Sequence, residues 1–396
     1  MKLSVVIVNY NVKYYVEQCI RSVYRSAGNM PIEIWVVDNA STDESMNYLK
    51  PRFPQVNFIE NTENVGFSRA NNQAIIRSSG EYVLLLNPDT LLGEDVLPAC
   101  VRFLDEHPQV GATGVAMLKD DGGFAWESRR GLPTPFTSFC KMSGLSTLFP
   151  KSHLFGRYYM RYLDVREANP IEVISGAFNM LRRSALDRIG LLDEDFFMYG
   201  EDIDLSFRML EGGYQNYYLP RLILHYKGES TQKSSFRYVH VFYNAMLIFF
   251  NKHYRKRYRL LTSLIHLAVV VRGFWDLCKN QKERLAALMR VGVVTAPQKR
   301  FLCLGRKSSL EEIEVIADRN SLCCDYVEAD EQTNPEGHLN LSVDVSEYDY
   351  VVYDVQAYRF QTILDLLYRG SVRYQVQLGT YSQESHCLIT HKEVWK

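Results

Sequence analysis

The 396 residues contain no apolar run long enough to cross a bilayer, no paired-cysteine spacing and no excess of charge of either sign, and each absence removes a class of protein. A spanning helix needs about 20 consecutive apolar residues. The longest candidate, Leu260 to Val271, is shorter and ends at Arg272. The opening run Met1-Lys2-Leu3-Ser4-Val5-Val6-Ile7-Val8 is too short for a secretion signal and has no small-residue cleavage site, so a cytoplasmic protein is expected. The 8 cysteines are scattered apart from Cys323-Cys324, with neither CxxC nor zinc-like spacing, and read as reduced, mostly buried thiols. A formal net charge of −1 excludes a nucleic-acid binder by bulk electrostatics. No nucleic-acid partner is expected.

What remains is a globular composition, 46% hydrophobic and 23% charged, in a chain whose length suits two domains. Apolar, strand-like runs at Lys2 to Asn9, Glu33 to Asp38, Val56 to Glu60 and Tyr82 to Leu86 alternate with helical spacing at Val12 to Ser26, Ser68 to Ser79 and Glu94 to Glu106. Short apolar strands divided by helices predict an α/β domain with a parallel sheet covered on both faces. Ligands of such sheets sit beyond the carboxyl ends of the strands. From Gly122 to Asn169 the pattern is irregular and predicts a long mobile loop region; order returns at Ile171 to Met180, a helix at Glu201 to Glu211 and a strand at Tyr217 to His225.

Between Thr231 and Trp275 there is no acidic residue, while Lys233, Arg237, Lys252, Arg255, Lys256, Arg257, Arg259 and Arg272 are basic. Basic charge beside the apolar stretches Met246 to Phe250 and Leu260 to Val271 is what a helix lying on an anionic membrane surface needs. A solvated basic face on helices packed against the first domain is the plainer alternative. Strand and helix signals resume after Gln298, giving a small second α/β domain with no phosphate loop or catalytic constellation. The expected division is therefore 1–230, a basic helical segment 231–296, and 297–396.

Acidic residues close the strands of the first domain. Val36-Val37-Asp38-Asn39 is followed by Ala40-Ser41-Thr42-Asp43, Leu86 by Asn87-Pro88-Asp89, and Glu201-Asp202 opens a helix after Met198-Tyr199-Gly200. Singly, Asp38 and Asp89 read equally as turn formers, and Asp202 as an acid favoured by the helix dipole. Together with Asn64-Val65-Gly66-Phe67-Ser68-Arg69, Ser175-Gly176-Ala177 and Tyr199-Gly200-Glu201-Asp202-Ile203-Asp204-Leu205, they form five ordered motifs. This succession resembles the inverting family 2 glycosyltransferases of the Rossmann-like GT-A fold, nearest their rhamnosyltransferase-like branch, from about Lys2 to Lys227.

The resemblance implies a nucleotide-sugar donor such as dTDP-rhamnose or a UDP-sugar, a divalent metal (Mg2+ or Mn2+), and a lipid-linked glycan acceptor in surface polysaccharide synthesis. The enzyme would act as a peripheral protein on the inner face of the membrane. It implies Asp202 as general base, Asp89 and His225 as metal ligands, and Asn9, Asp38, Asn64, Gly66, Arg69, Asn87 and Asp89 at the donor. Ser175, Gly176, Ala177 and Glu201 would lie near the sugar and acceptor. The family's Asp-x-Asp metal motif is here Asn87-Pro88-Asp89, one charge short. His225 as a plain structural histidine and Arg69 as a surface arginine stay open. Two other classes are a nucleotidyltransferase and a non-catalytic nucleotide-sugar-binding protein on the same fold. The first needs a Gly-rich basic loop after strand one, where Asn9-Tyr10-Asn11-Val12 stands instead.

Overall fold

Strand β1, Leu3–Asn9, is apolar on both faces, and this decides the layering. Leu3, Val5 and Ile7 join one core with helices α1 (Lys13–Ala27), α2 (Ser45–Leu49) and α4 (Val96–Glu106), while Val6 and Val8 join a second with α3 (Phe67–Arg77), α7 (Arg183–Ile189) and α8 (Glu201–Glu211). The computed structural model describes residues 1–226, 236–255 and 298–396.

The first sheet has nine strands. Beside β1 these are β2 (Ile32–Asp38), β3 (Asn57–Glu60), β4 (Tyr82–Leu86), β5 (Thr90–Leu92), β6 (Val110–Leu118), β7 (Asn169–Ile171), β8 (Phe178–Arg182) and β9 (Gln215–His225). Their order is β3-β2-β1-β4-β8-β6-β9-β5, with β7 alongside β9. The block β3-β2-β1-β4 is parallel, as the sequence predicts, but the sheet as a whole is mixed. Strand β8 runs antiparallel to both β4 and β6. The expected ordered run Ile171 to Met180 is two strands, with Ser175-Gly176-Ala177 in the break between them. Because β8 is reversed, its amino end, not its carboxyl end, meets the functional rim: Phe178 pairs with Leu86 at the end of β4.

The stretch expected to be a mobile loop is folded into α5 (Pro135–Met142), α6 (Leu145–Leu148) and irregular turns. Its anchor is Arg129, wholly buried with its guanidinium 5.2–5.7 Å from the rings of Phe124, Trp126 and Tyr218, and donating to the Leu163 carbonyl at 2.9 Å. Cation–π contact with three rings compensates part of the cost of burying that charge.

Helix α9 (Phe236–Phe249) continues into a π-helical turn, Phe250–Tyr254. Ala245, Phe249, Phe250 and Tyr254 form a cluster with Phe196, against which Ile203 and Phe207 of α8 pack. Lys252 pairs with Asp193 and Asp195, and His253 meets the buried Asp204 of α8 at 2.6 Å. This part of the basic segment therefore packs on the first domain. The remainder, including Lys256 to Arg259 and Leu260 to Val271, lies outside the described residues. No helix among the described residues is long and apolar enough to cross a membrane.

A second sheet of six strands, Arg300–Gly305 (β10), Cys323–Glu328 (β11), Tyr350–Asp354 (β12), Gln377–Ser382 (β13), Cys387–Ile389 (β14) and Val394–Trp395 (β15), has the order β11-β10-β12-β13-β14-β15. Its first four strands are parallel and the last two return as hairpins. At the end of β10, where a Rossmann-like sheet would hold a phosphate, the Asp354 carboxylate accepts from the backbone N–H of Arg306 at 3.2 Å and of Gln356 at 2.9 Å. The anion position is filled from within.

The two sheets share a core. Leu302, Val351, Phe360, Leu364 and Leu367 belong to the same apolar cluster as Val16 and Cys19 of α1 and Val12 just before it. Polar bonds fix the contact. Tyr15 donates its hydroxyl to the Thr390 carbonyl at 2.8 Å, and the Glu94 carboxylate accepts from the N–H groups of Phe360 and Gln361 at 3.0 and 2.7 Å. Glu94 thus caps the helix Phe360–Gly370 of the other sheet.

Candidate active site

The carboxyl ends of β2, β1 and β4 and the amino end of β8 form one rim. Neighbouring strands stand about 4.8 Å apart, so the three steps from Asp38 to the residues before β8 span roughly 14 Å. Asn9 and Asp38 are register partners, and Asn9 donates Nδ2 to Asp38 Oδ1 at 2.6 Å. The backbone N–H of Ser41 donates to Asp38 Oδ2 at 3.0 Å. Both carboxylate oxygens are held, with lone pairs to spare for a ligand. Beside Asp38 opens a hollow of about 370 Å³ lined by Ala40, Ser41, Glu44, Glu60 and Asn61 among others.

Asn64 and Gly66 shape the next loop. Asn64 Oδ1 accepts from Asn39 Nδ2 at 2.9 Å and from the Gly66 N–H at 3.1 Å. Gly66 has φ +87°, and a Cβ there would lie 2.7 Å from both the Phe197 ring and its carbonyl oxygen, so only glycine lets the 193–200 loop close on α3. Arg69 meets an acid of the 193–200 loop. It is half exposed on α3 and pairs with Glu194 at 3.0 Å, which is the surface alternative left open by the sequence.

After β4, Asn87, Asp89 and His225 come together. His225 Nε2 stands 3.2 Å from Asn87 Nδ2 and 3.4 Å from Asp89 Oδ1, and β5 holds Thr90 in register with His225. Asp89 contributes an anionic oxygen, His225 an imidazole nitrogen and Asn87 an amide whose O and N exchange places on a flip. This set would suit a divalent cation that accepts both oxygen and imidazole ligands. No group of three or more His, Cys, Asp and Glu side chains suited to a metal exists among the described residues, consistent with Asn87 replacing a carboxylate.

A backbone bond leads onward from this loop, the Asn87 N–H donating to the Ala177 carbonyl at 3.0 Å. One residue earlier the Gly176 N–H donates to Asp202 Oδ2 at 3.2 Å, and a Cβ on Gly176 would stand 3.5 Å from both Asp202 Cβ and Glu201 Oε1. Ser175 turns the chain here, its carbonyl accepting from the Phe178 N–H at 3.3 Å. Helix α8 begins after Tyr199 and Gly200, both left-handed with φ of 67° and 84°. Its first turn carries Glu201, Asp202 and Asp204, where the dipole favours negative charge.

Asp202 is mostly buried. Its Oδ2 is ion-paired with Arg130 and its Oδ1 accepts from the Ile203 N–H at 2.8 Å. Burial pulls the Arg130 guanidinium down, but the charge and hydrogen bond of Asp202, together with Tyr158 and Glu127, hold it above its ordinary range. Arg130 also donates to the Ile174 carbonyl at 3.3 Å. Sequence reasoning missed it; a pair of adjacent arginines in an irregular stretch carried no sign of burial. Glu201 is buried beside Asp202 with Oε2 unpartnered, and burial, reinforced by the Asp202 charge, pushes its carboxyl up to about 8. Asp204 faces elsewhere, towards Arg208 and His253.

Residues 4–190 match the family model described as glycosyl transferase family 2. The N-acetylglucosaminyl-diphospho-decaprenol L-rhamnosyltransferase of Mycobacterium tuberculosis is 28% identical over 259 residues, covering 62% of this chain and 83% of that protein. The rhamnosyltransferase WbbL of Escherichia coli K12 is 26% identical over 198 residues, 44% of this chain and 70% of its own. Among solved structures, a mannosyltransferase from Pyrobaculum calidifontis in complex with GDP-mannose and Mn2+ shares 18% identity over 74% of this chain and 76% of its own, with a TM-score of 0.44.

Proposed function

We propose that this chain, whose residues 4–190 match the family 2 glycosyl transferases, moves a sugar, with inversion, from a nucleoside-diphosphate donor to a hydroxyl of a lipid-linked glycan. The observation that carries this reading is the unbroken path along one rim, from Asp89 and His225 through Asn87 and Ala177 to Gly176 and Asp202. The relatives named as rhamnosyltransferases favour dTDP-rhamnose as donor, with a UDP-sugar as the second choice.

In this reading the base lies in the hollow beside Asp38, whose carboxylate accepts the imide N–H of uracil or thymine while Asn9 holds it in place. Asp89 and His225 would hold Mg2+ or Mn2+, which would supply Lewis-acid neutralisation of the departing diphosphate. Gly176, lacking a side chain, lets the sugar approach Asp202. Asp202 takes the acceptor hydroxyl's proton as that oxygen bonds the anomeric carbon and the bond from the carbon to the diphosphate oxygen breaks. Arg130 and the Gly176 N–H keep the carboxylate aimed. Glu201, protonated near neutral pH, offers an O–H to a sugar hydroxyl rather than competing as base. Residues 1–230 would be the catalytic domain and 297–396 a supporting one, with 231–296 meeting an anionic membrane from the cytoplasmic side.

The test is a panel of nucleotide sugars, dTDP-rhamnose, UDP-galactofuranose and UDP-pyranoses, each with Mg2+ or Mn2+. One donor should raise the melting temperature and release nucleotide slowly. Stabilisation by a donor with no transfer to any lipid-linked acceptor would favour the binding-protein alternative, and indifference to every donor would end the proposal.

A further inference from the structure

Of the 14 large hydrophobic side chains that stand exposed among the described residues, six fall on one short stretch: Phe136, Phe139, Met142, Leu148, Phe149 and Leu154. The other eight are scattered through the chain. The six belong to α5, α6 and the turn after them, and α5 lies against α6. Phe155 bridges them, with ring centroids 6.4 Å from Phe136 and 5.6 Å from Phe149. On α5 the opposite face is satisfied, since Thr137 and Cys140 are buried and Thr134 caps the helix by accepting from the Thr137 N–H at 3.2 Å. The apolar face is thus held outward by a folded scaffold. Exposed apolar patches of this kind mark interaction surfaces.

Charge selects the partner. From Ser128 to Leu163 the sequence has no acidic residue; of its basic residues Arg129 is buried and Arg130 mostly buried, while Lys151 and Arg157 are exposed and Lys141 and Arg161 part-exposed. We propose that this patch is a membrane-docking surface, inserting its phenylalanine and leucine side chains into an anionic bilayer whose headgroups meet the surrounding lysines and arginines. A second copy of the chain fits less well, because a two-fold contact would press basic residues against basic residues. The position gives the surface its use, resting here on the transferase reading. The stretch starts at Arg130, which holds Asp202, and Leu132 packs on the α9 cluster. A lipid-linked acceptor entering from the bilayer would meet the proposed base directly.

The experiment is flotation of the full chain with vesicles of phosphatidylglycerol and phosphatidylcholine, against vesicles of phosphatidylcholine alone. The wild type should float with the anionic vesicles. The triple change Phe139→Ser, Leu148→Ser, Phe149→Ser should cut the bound fraction about tenfold or more and leave donor-dependent stabilisation unchanged. Recovery equal to wild type overturns the proposal. As a check independent of the triple variant's folding, Phe149→Trp should add emission that shifts to shorter wavelength on anionic vesicles and is quenched by brominated lipid; unshifted emission also overturns it. A concentration-dependent dimer abolished by the triple change would assign the patch to self-association and likewise overturn it. A wild type that floats through this patch yet answers no nucleotide sugar would sink the transferase reading while leaving the docking surface standing.

Discussion

Asp202 is surrounded by donors, the Arg130 guanidinium and the N–H groups of Gly176 and Ile203, so an amide can take its place without leaving a hole. Asp202→Asn should therefore lower transfer about 10²–10⁴-fold, the worth of a positioned base, while a donor still shifts the melting temperature. Asp89→Ala should abolish the metal dependence of that shift; a shift equally large with and without metal would remove Asp89 as a ligand. Glu201 gives a prediction in pH. Its folded carboxyl titrates near 8, above the ordinary 4.5, so the folded state binds the extra proton and stability falls as pH rises from about 4.5 to 8. Glu201→Gln should flatten thermal stability across that window, and parallel curves for the two proteins would refute the assignment. At this scale the sequence was most legible where a polar residue ends an apolar strand. Asp38, Asp89 and His225 stand out because each closes an apolar run, although singly each also reads as a turn former or a structural histidine. Arg130 was invisible for the opposite reason, since what makes it matter is burial against an acid 72 residues away.

The elements were legible where one periodicity ran long enough to register. The parallel strands β1, β2 and β4 and helices α1, α3 and α8 fall close to where their patterns place them. Ile171 to Met180 misled because two short strands of one apolar character are divided only by Ser175-Gly176-Ala177, and reversal of β8 is a matter of chain path rather than composition. Residues 122–169 looked unstructured because their core is built on a buried arginine and aromatic rings, which carry no period. Gly66 shows what one backbone position does for an element. Gly66→Ala combines a left-handed φ with collision against Phe197, and should cost about 1–3 kcal/mol of stability. Denaturant unfolding measures this directly, and an unchanged midpoint would mean that the 193–200 loop does not depend on that contact.

On the scale of the whole molecule, the two sheets were legible but their union was not. Apolar residues on the outward faces of α1 and of the helix Phe360–Gly370 look like any core residues until the faces meet. Because they form one cluster, calorimetry should record a single transition for both sheets. Two resolved transitions would contradict a shared core. Removal of residues 298–396 should yield an insoluble product, since it lays open the apolar side of α1.

Glu94 lies a few residues beyond Asp89, on the far side of the short strand β5, and its carboxylate grips the helix of the other sheet. The distal lobe is in this way moored to the segment just after β5, so a pull on that lobe would load this short strand and, behind it, the turn at Asp89.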